Sequence, residues 1–126
     1  MIVVDTSILI AIIQGEPDAS TFIGLLNEND VLLPATVLVE AGIIATNRGL
    51  LSDLRKITRF LDPVIMPIDE QIVEAAIGAH QSYGKGRHKA SLNFGDCFVY
   101  ATAKFLGLPL LFKGRDFSDT DVKAVY

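Results

Sequence analysis

The chain carries no tryptophan, one cysteine and two histidines. A lone thiol, Cys97, excludes an internal disulfide, and no Cys or His stands near it at metal-ligand spacing. Cys97 therefore reads as a small buried residue, and the chain suits a reducing, cytoplasmic setting. Positive charge is scarce too: 11 basic residues against 15 acidic ones give a net charge of −4, which argues against non-specific binding of nucleic acid. No apolar run approaches the roughly 18 residues of a membrane helix, and Met1-Ile2-Val3-Val4-Asp5 lacks the basic flank of a signal peptide. The glycines of Tyr83-Gly84-Lys85-Gly86-Arg87-His88 do not make a phosphate-binding P-loop, because G-x-x-x-x-G-K-[ST] is absent.

What the chain has is apolar surface. Half of its 126 residues are hydrophobic, and the mean hydropathy is +0.40. There is no repeat, linker or low-complexity tract, so residues 1–126 are expected to form one globular domain with a real core. The excess apolar surface is expected to meet a second copy, another protein, or both.

Short apolar runs alternate with helical patterns. Ile2–Val4, Val31–Leu33, Val64–Met66 and Leu110–Phe112 read as strands, and Val122–Val125 as a possible fifth, edge strand. Helices are expected over Ile8–Ile13, Ala19–Glu28, Pro34–Asn47, Ser52–Leu61, from the Asp69 cap to Tyr83, and over Phe94–Leu106. In the last two, Ile72, Val73, Ala76 and Ile77 form one apolar stripe, which His80 joins as a core or interface histidine, and Phe94, Phe98, Ala101 and Phe105 form the other. Gly84–Ser91 is a basic loop. Strands alternating with helices predict an α/β fold with a mostly parallel sheet covered on both faces. Ligand sites in such sheets lie at the carboxyl ends of the strands.

Four acids interrupt apolar stretches: Asp5 in VVDTS, Glu40 in LVEAG, Asp96 in FGDCF and Asp116 in KGRDF. Each has an ordinary reading. Asp5 and Asp96 have helix-capping neighbours, Glu40 lies one residue off an apolar helix face, and Asp116 sits in a turn-rich loop. Jointly they point elsewhere. Carboxylates among valines, leucines and phenylalanines are costly to bury unless a cation or donors compensate them, and an all-oxygen set suits magnesium or manganese.

VVDTSILIAII, LVEAG, LNFGDCFVYATAK and LLFKGRDFSDTD, in this order, resemble a PIN-domain ribonuclease, more narrowly the VapC toxins of bacterial toxin–antitoxin systems. The resemblance covers essentially the whole chain. It implies a three-layer α/β/α sandwich around a four- to five-stranded sheet, RNA cleavage dependent on Mg2+ or Mn2+, a homodimer and a cognate VapB-like antitoxin. By position, Asp5, Glu40, Asp96 and Asp116 take the family's four acidic places. Thr6 and Ser7 match residues that hold water or phosphate, and Asp121 is a candidate outer member. Arg115 departs from the Asn that many relatives carry there.

If RNA is the substrate, positive charge must be local. Lys85, Arg87, His88 and Lys89 form the densest basic run and lead into the helix bearing Asp96; Lys113 and Arg115 flank Asp116. Lys104, two turns beyond Asp96, reads as solvated or as a phosphate contact. Three other functions compete for an α/β chain of this length. A receiver-type phosphoacceptor domain needs a second acid beside Asp5 and an Asp after the middle strand, where Pro67 stands. A haloacid-dehalogenase-like phosphatase needs an Asp at the position of Ser7. A non-catalytic RNA-binding module would leave four acids without a purpose.

Overall fold

The computed structural model describes all 126 residues. Its central strand is β1 (Ile2–Val4), whose three residues are all buried. Parallel partners flank it: β2 (Val31–Pro34) pairs Ile2 with Val31, and β4 (Leu110–Leu111) pairs Val3 with Leu110. Outside β2 lies β3 (Val64–Met66), also parallel. The sheet order is β3-β2-β1-β4. The chain thus builds outward on one side of β1 and then crosses to the other. That reversal opens a crevice at the carboxyl ends of β1 and β4, the general location of ligand sites in such sheets.

Parallel strands need long crossovers, and six helices supply them. They are α1 (Thr6–Ile13), α2 (Ala19–Asn27), α3 (Ala35–Asn47), α4 (Leu51–Leu61), α5 (Glu70–Tyr83) and α6 (Phe94–Leu106). α1 packs on α2, α3 and α4, while α5 runs along α6, which crosses β1 and β2. The result is the expected α/β/α sandwich. Its core is one cluster of 27 buried residues, among them Val3, Val4, Ile8, Leu9, Leu33 and Leu111. No helix is long and apolar enough to cross a membrane.

Capping chemistry sets the helix starts near the crevice. Asp5 accepts from the Ser7 N–H and caps α1, so that helix begins at Thr6 rather than Ile8. Asn93 and Asp96 cap α6 reciprocally: Asn93 Oδ1 accepts from the Asp96 N–H at 2.8 Å, and Asp96 Oδ2 from the Asn93 N–H at 3.1 Å. At its other end α6 stops on Gly107, whose φ of 66° is the left-handed conformation glycine tolerates best.

Three expectations are corrected. Val122–Val125 adds no full strand, because only the Leu110–Ala124 bridge forms there. The inward face of α5 is Ile72, Ala76 and Ala79, leaving Val73, Ile77 and His80 exposed. On α6 the buried residues are Cys97 and Val99 to Ala103, while Phe94 is 82% exposed and Phe105 47%. Both helices are apolar on two faces, so periodicity alone could not say which face meets the sheet. The outward faces leave an apolar groove of about 610 Å³ between α5 and α6, lined by Val73, Ile77, Phe94 and Phe98.

Candidate active site

All four predicted acids line one cleft of about 380 Å³ at the carboxyl edge of the sheet. Asp5 directly follows β1, Glu40 projects from the middle of α3, Asp96 from the first turn of α6, and Asp116 from the loop after β4. None of the four is engaged in a salt bridge. The cleft therefore concentrates negative charge that no side chain neutralises.

Asp5 is 6% exposed, and its burial pushes the carboxyl above its ordinary value. Two bonds from Ser7, an N–H at 3.2 Å and the hydroxyl at 2.6 Å, oppose that shift, while Glu40 adds to it. Desolvation raises Asp96 to about 6, with the Asn93 bond opposing and Asp116, Asp5 and Glu40 reinforcing. Each carboxylate would be relieved by a cation. Glu40 reaches across to α6: a Cβ at Gly95 would lie only 3.0 Å from its Oε2. Glycine at that position makes room for the approach.

The polar neighbours divide in their roles. Thr6 Oγ1 is buried beside the cleft without a hydrogen-bond partner. Ser7 Oγ, by contrast, donates to Asp5 and accepts from the Lys113 N–H at 3.0 Å. It positions Asp5 and clamps the loop that carries Asp116. Asp121 does not line the cleft; Tyr100 donates a hydrogen bond to it, holding its carboxyl below the ordinary value, and Lys104 pairs with it at 3.1 Å.

The basic residues are dispersed. Lys113 lines the cleft, but its ammonium is held by Glu16 at 2.7 Å and Asp18 at 2.9 Å. Lys85 borders the apolar groove, and Lys89 lies 3.8 Å from Asp119. Arg87 donates to the Gln81 carbonyl, while His88 accepts from the Ala90 N–H and packs edge-on against Tyr83. Lys85, Arg87, His88, Lys89 and Arg115 do not line the cleft itself. Residues that sequence reasoning missed do so: Gln14, Glu16 and Arg48. For Gln14 and Arg48, the C-caps of α1 and α3, four-residue spacing from Ile10 and from Glu40 and Ile44 marks the face each helix turns to the cleft, but not that the two residues meet.

No three acidic, His or Cys side chains close into a coordination shell. The cleft lining nevertheless offers carboxylate oxygens, the hard donors that divalent cations such as magnesium prefer. Asp5, Glu40, Asp96 and Asp116 are the donors available.

A sequence profile described as PIN domain matches residues 2–123. The chain belongs to the PIN-domain family. Ribonuclease VapC of Mycolicibacterium smegmatis is 41% identical over 128 residues, covering 98% of this chain and 99% of that protein. This similarity places the chain among the VapC members of the PIN-domain family. Among solved structures, VapC20 of Mycobacterium tuberculosis, described as a sarcin–ricin loop cleaving toxin, matches with a TM-score of 0.79 and 19% identity, over 99% of this chain and 98% of that one. A toxin–antitoxin complex from Klebsiella pneumoniae gives a TM-score of 0.75 and 21% identity, over 96% and 93%. At such identities these two structures speak for the fold. The PIN-domain match leaves the receiver and non-catalytic alternatives without support.

Proposed function

We propose that this chain is the endoribonuclease toxin of a toxin–antitoxin pair, hydrolysing RNA phosphodiester bonds in the cytoplasm with Mg2+ or Mn2+. The observation that carries the reading is the convergence of Asp5, Glu40, Asp96 and Asp116, all unpaired, on one cleft. Full-length similarity to a VapC ribonuclease supports it.

A divalent ion bound among these carboxylates would acidify water and offset charge building on the phosphoryl oxygens. Asp5 and Asp96 are the principal ligands in this reading, because their orientations are fixed by Ser7 and by the Asn93 capping box. Glu40 and Asp116 complete the site and orient water. The Thr6 hydroxyl has donor capacity free for phosphate or for water. Lys85, Arg87, His88, Lys89 and Arg115 would form an outer rim that draws in RNA.

The antitoxin is expected to cover the cleft and place an Arg among the carboxylates, where bidentate pairing competes with metal. A second copy of the chain is expected on the apolar groove between α5 and α6, whose Phe94 is otherwise bare to water. The direct test is incubation of the purified protein with total RNA and mapping of the cut ends. Discrete cuts in Mg2+ or Mn2+ that vanish with EDTA are expected; intact RNA in both ions would refute the reading.

A further inference from the structure

We propose that Arg48, oriented by Gln14, is a binding site for an RNA phosphate other than the scissile one. The inference rests on the ribonuclease reading above and adds to it a second anchor for the strand.

The argument begins with charge. Four unpaired carboxylates line the cleft, so a polyanion entering it needs a cation on its walls. Only two basic residues stand there, Lys113 and Arg48. Lys113 is neutralised by Glu16 and Asp18. Arg48 has no carboxylate partner: its side chain donates a 2.6 Å hydrogen bond from Nη1 to Gln14 Oε1, a neutral acceptor. That bond joins the C-terminal caps of α1 and α3 and sets the direction of the guanidinium. One of its five N–H donors is used, which leaves a charged fork for phosphate oxygens.

Position decides which phosphate. Glu40 and Ile44 of α3 and its C-cap Arg48 are spaced four residues apart, and all three line the cleft. Two helical turns separate Arg48 from Glu40, roughly 12 Å along the axis. The Glu40 carboxylate lies close to Gly95 on α6 and makes no ion pair with Arg48. A guanidinium at the reacting phosphate would pair with the carboxylates; this one does not. Arg48 therefore meets the strand further along the cleft, beyond the bond that is cut.

The test uses oligonucleotides centred on the mapped cleavage site, from the dinucleotide with its single phosphodiester upward, cleaved by the parent, Arg48→Ala, Arg48→Lys and Gln14→Ala. On the longer substrates Arg48→Ala should raise KM roughly tenfold, the loss of one charge-assisted hydrogen bond, with kcat nearly unchanged. The salt slope of kcat/KM should fall by about 0.7, one phosphate contact on a single strand. Arg48→Lys should keep most of that slope, and Gln14→Ala should give a smaller rise in KM. On the dinucleotide the parent and all variants should agree. Equal KM for parent and Arg48→Ala on long RNA would overturn the proposal. So would an equal loss on the dinucleotide, which would mark a structural role. A parent that cuts no RNA at all would refute the ribonuclease reading, and this site with it.

Discussion

The Ser7 hydroxyl donates to Asp5 Oδ2 at 2.6 Å while accepting the Lys113 N–H at 3.0 Å. One small side chain thus ties the end of β1 to the loop that carries Asp116. Ser7→Ala should destabilise the fold by about 1.5–3 kcal/mol, the range for a lost hydrogen bond to a charged group. It should also push the Asp5 carboxyl still higher, since the Ser7 bonds oppose the effect of burial. Thermal melts would measure the loss, and Ser7→Thr should restore most of it. A Ser7→Ala protein melting with the parent would mean the bond contributes nothing.

Asp96 predicts the pH dependence of the metal-free protein. Its folded-state value of about 6 lies above the ordinary 3.8. As pH falls through 6, the folded state takes up a proton that the unfolded chain does not yet bind, so this group makes the fold more stable toward pH 4. At neutral pH the ionised carboxylate is therefore a cost. Asp96→Asn keeps an acceptor for the Asn93 N–H and removes that charge. In EDTA it should melt above the parent at pH 7, with the advantage shrinking as pH falls below 6. An advantage independent of pH would contradict the electrostatic account.

Phe94 tests the apolar groove. It is 82% exposed, so Phe94→Asp should leave the isolated fold intact. If a second copy covers the groove, light scattering should show the parent at twice the chain mass and the variant at the chain mass. A parent that is monomeric at micromolar concentration and above would reject this interface.

The outer basic rim gives an electrostatic prediction of its own. Replacing Lys85, Arg87 and Lys89 together by Ala should weaken RNA binding and flatten its salt dependence by roughly one unit of slope per lost phosphate contact, somewhat less for a single strand. Metal affinity should change far less. An unaltered binding curve across a salt titration would show that the loop is only a solvated turn.

The four acids were legible because each sits in an apolar context that gives a lone carboxylate little reason to be there, and because parallel sheets gather strand ends at one edge. Asp5 and Asp96 also cap helices, so the ordinary reading holds beside their place in the cleft. The faces of α5 and α6 were not legible. Val73, Ile77 and Phe94 are as apolar as Ile72, Ala76 and Val99, and hydrophobic periodicity cannot separate a core face from an exposed apolar one. Arg48 and Gln14 escaped notice because each is an unremarkable residue at the end of its own helix. Their meeting depends on how α1 packs against α3, which no local pattern encodes. Lys113 misled for the same reason: its partners, Glu16 and Asp18, lie nearly a hundred positions away.

The most direct test of the central claim is the rate of RNA cleavage by Asp5→Asn and Asp96→Asn in saturating Mg2+ or Mn2+, with folding checked by circular dichroism. Both variants should stay folded, since each removes a like charge from a repulsive cluster. Both should cleave at least about 100-fold more slowly than the parent, the scale expected when an element that stabilises charge is lost. Parental rates in either folded variant would contradict the four-carboxylate site.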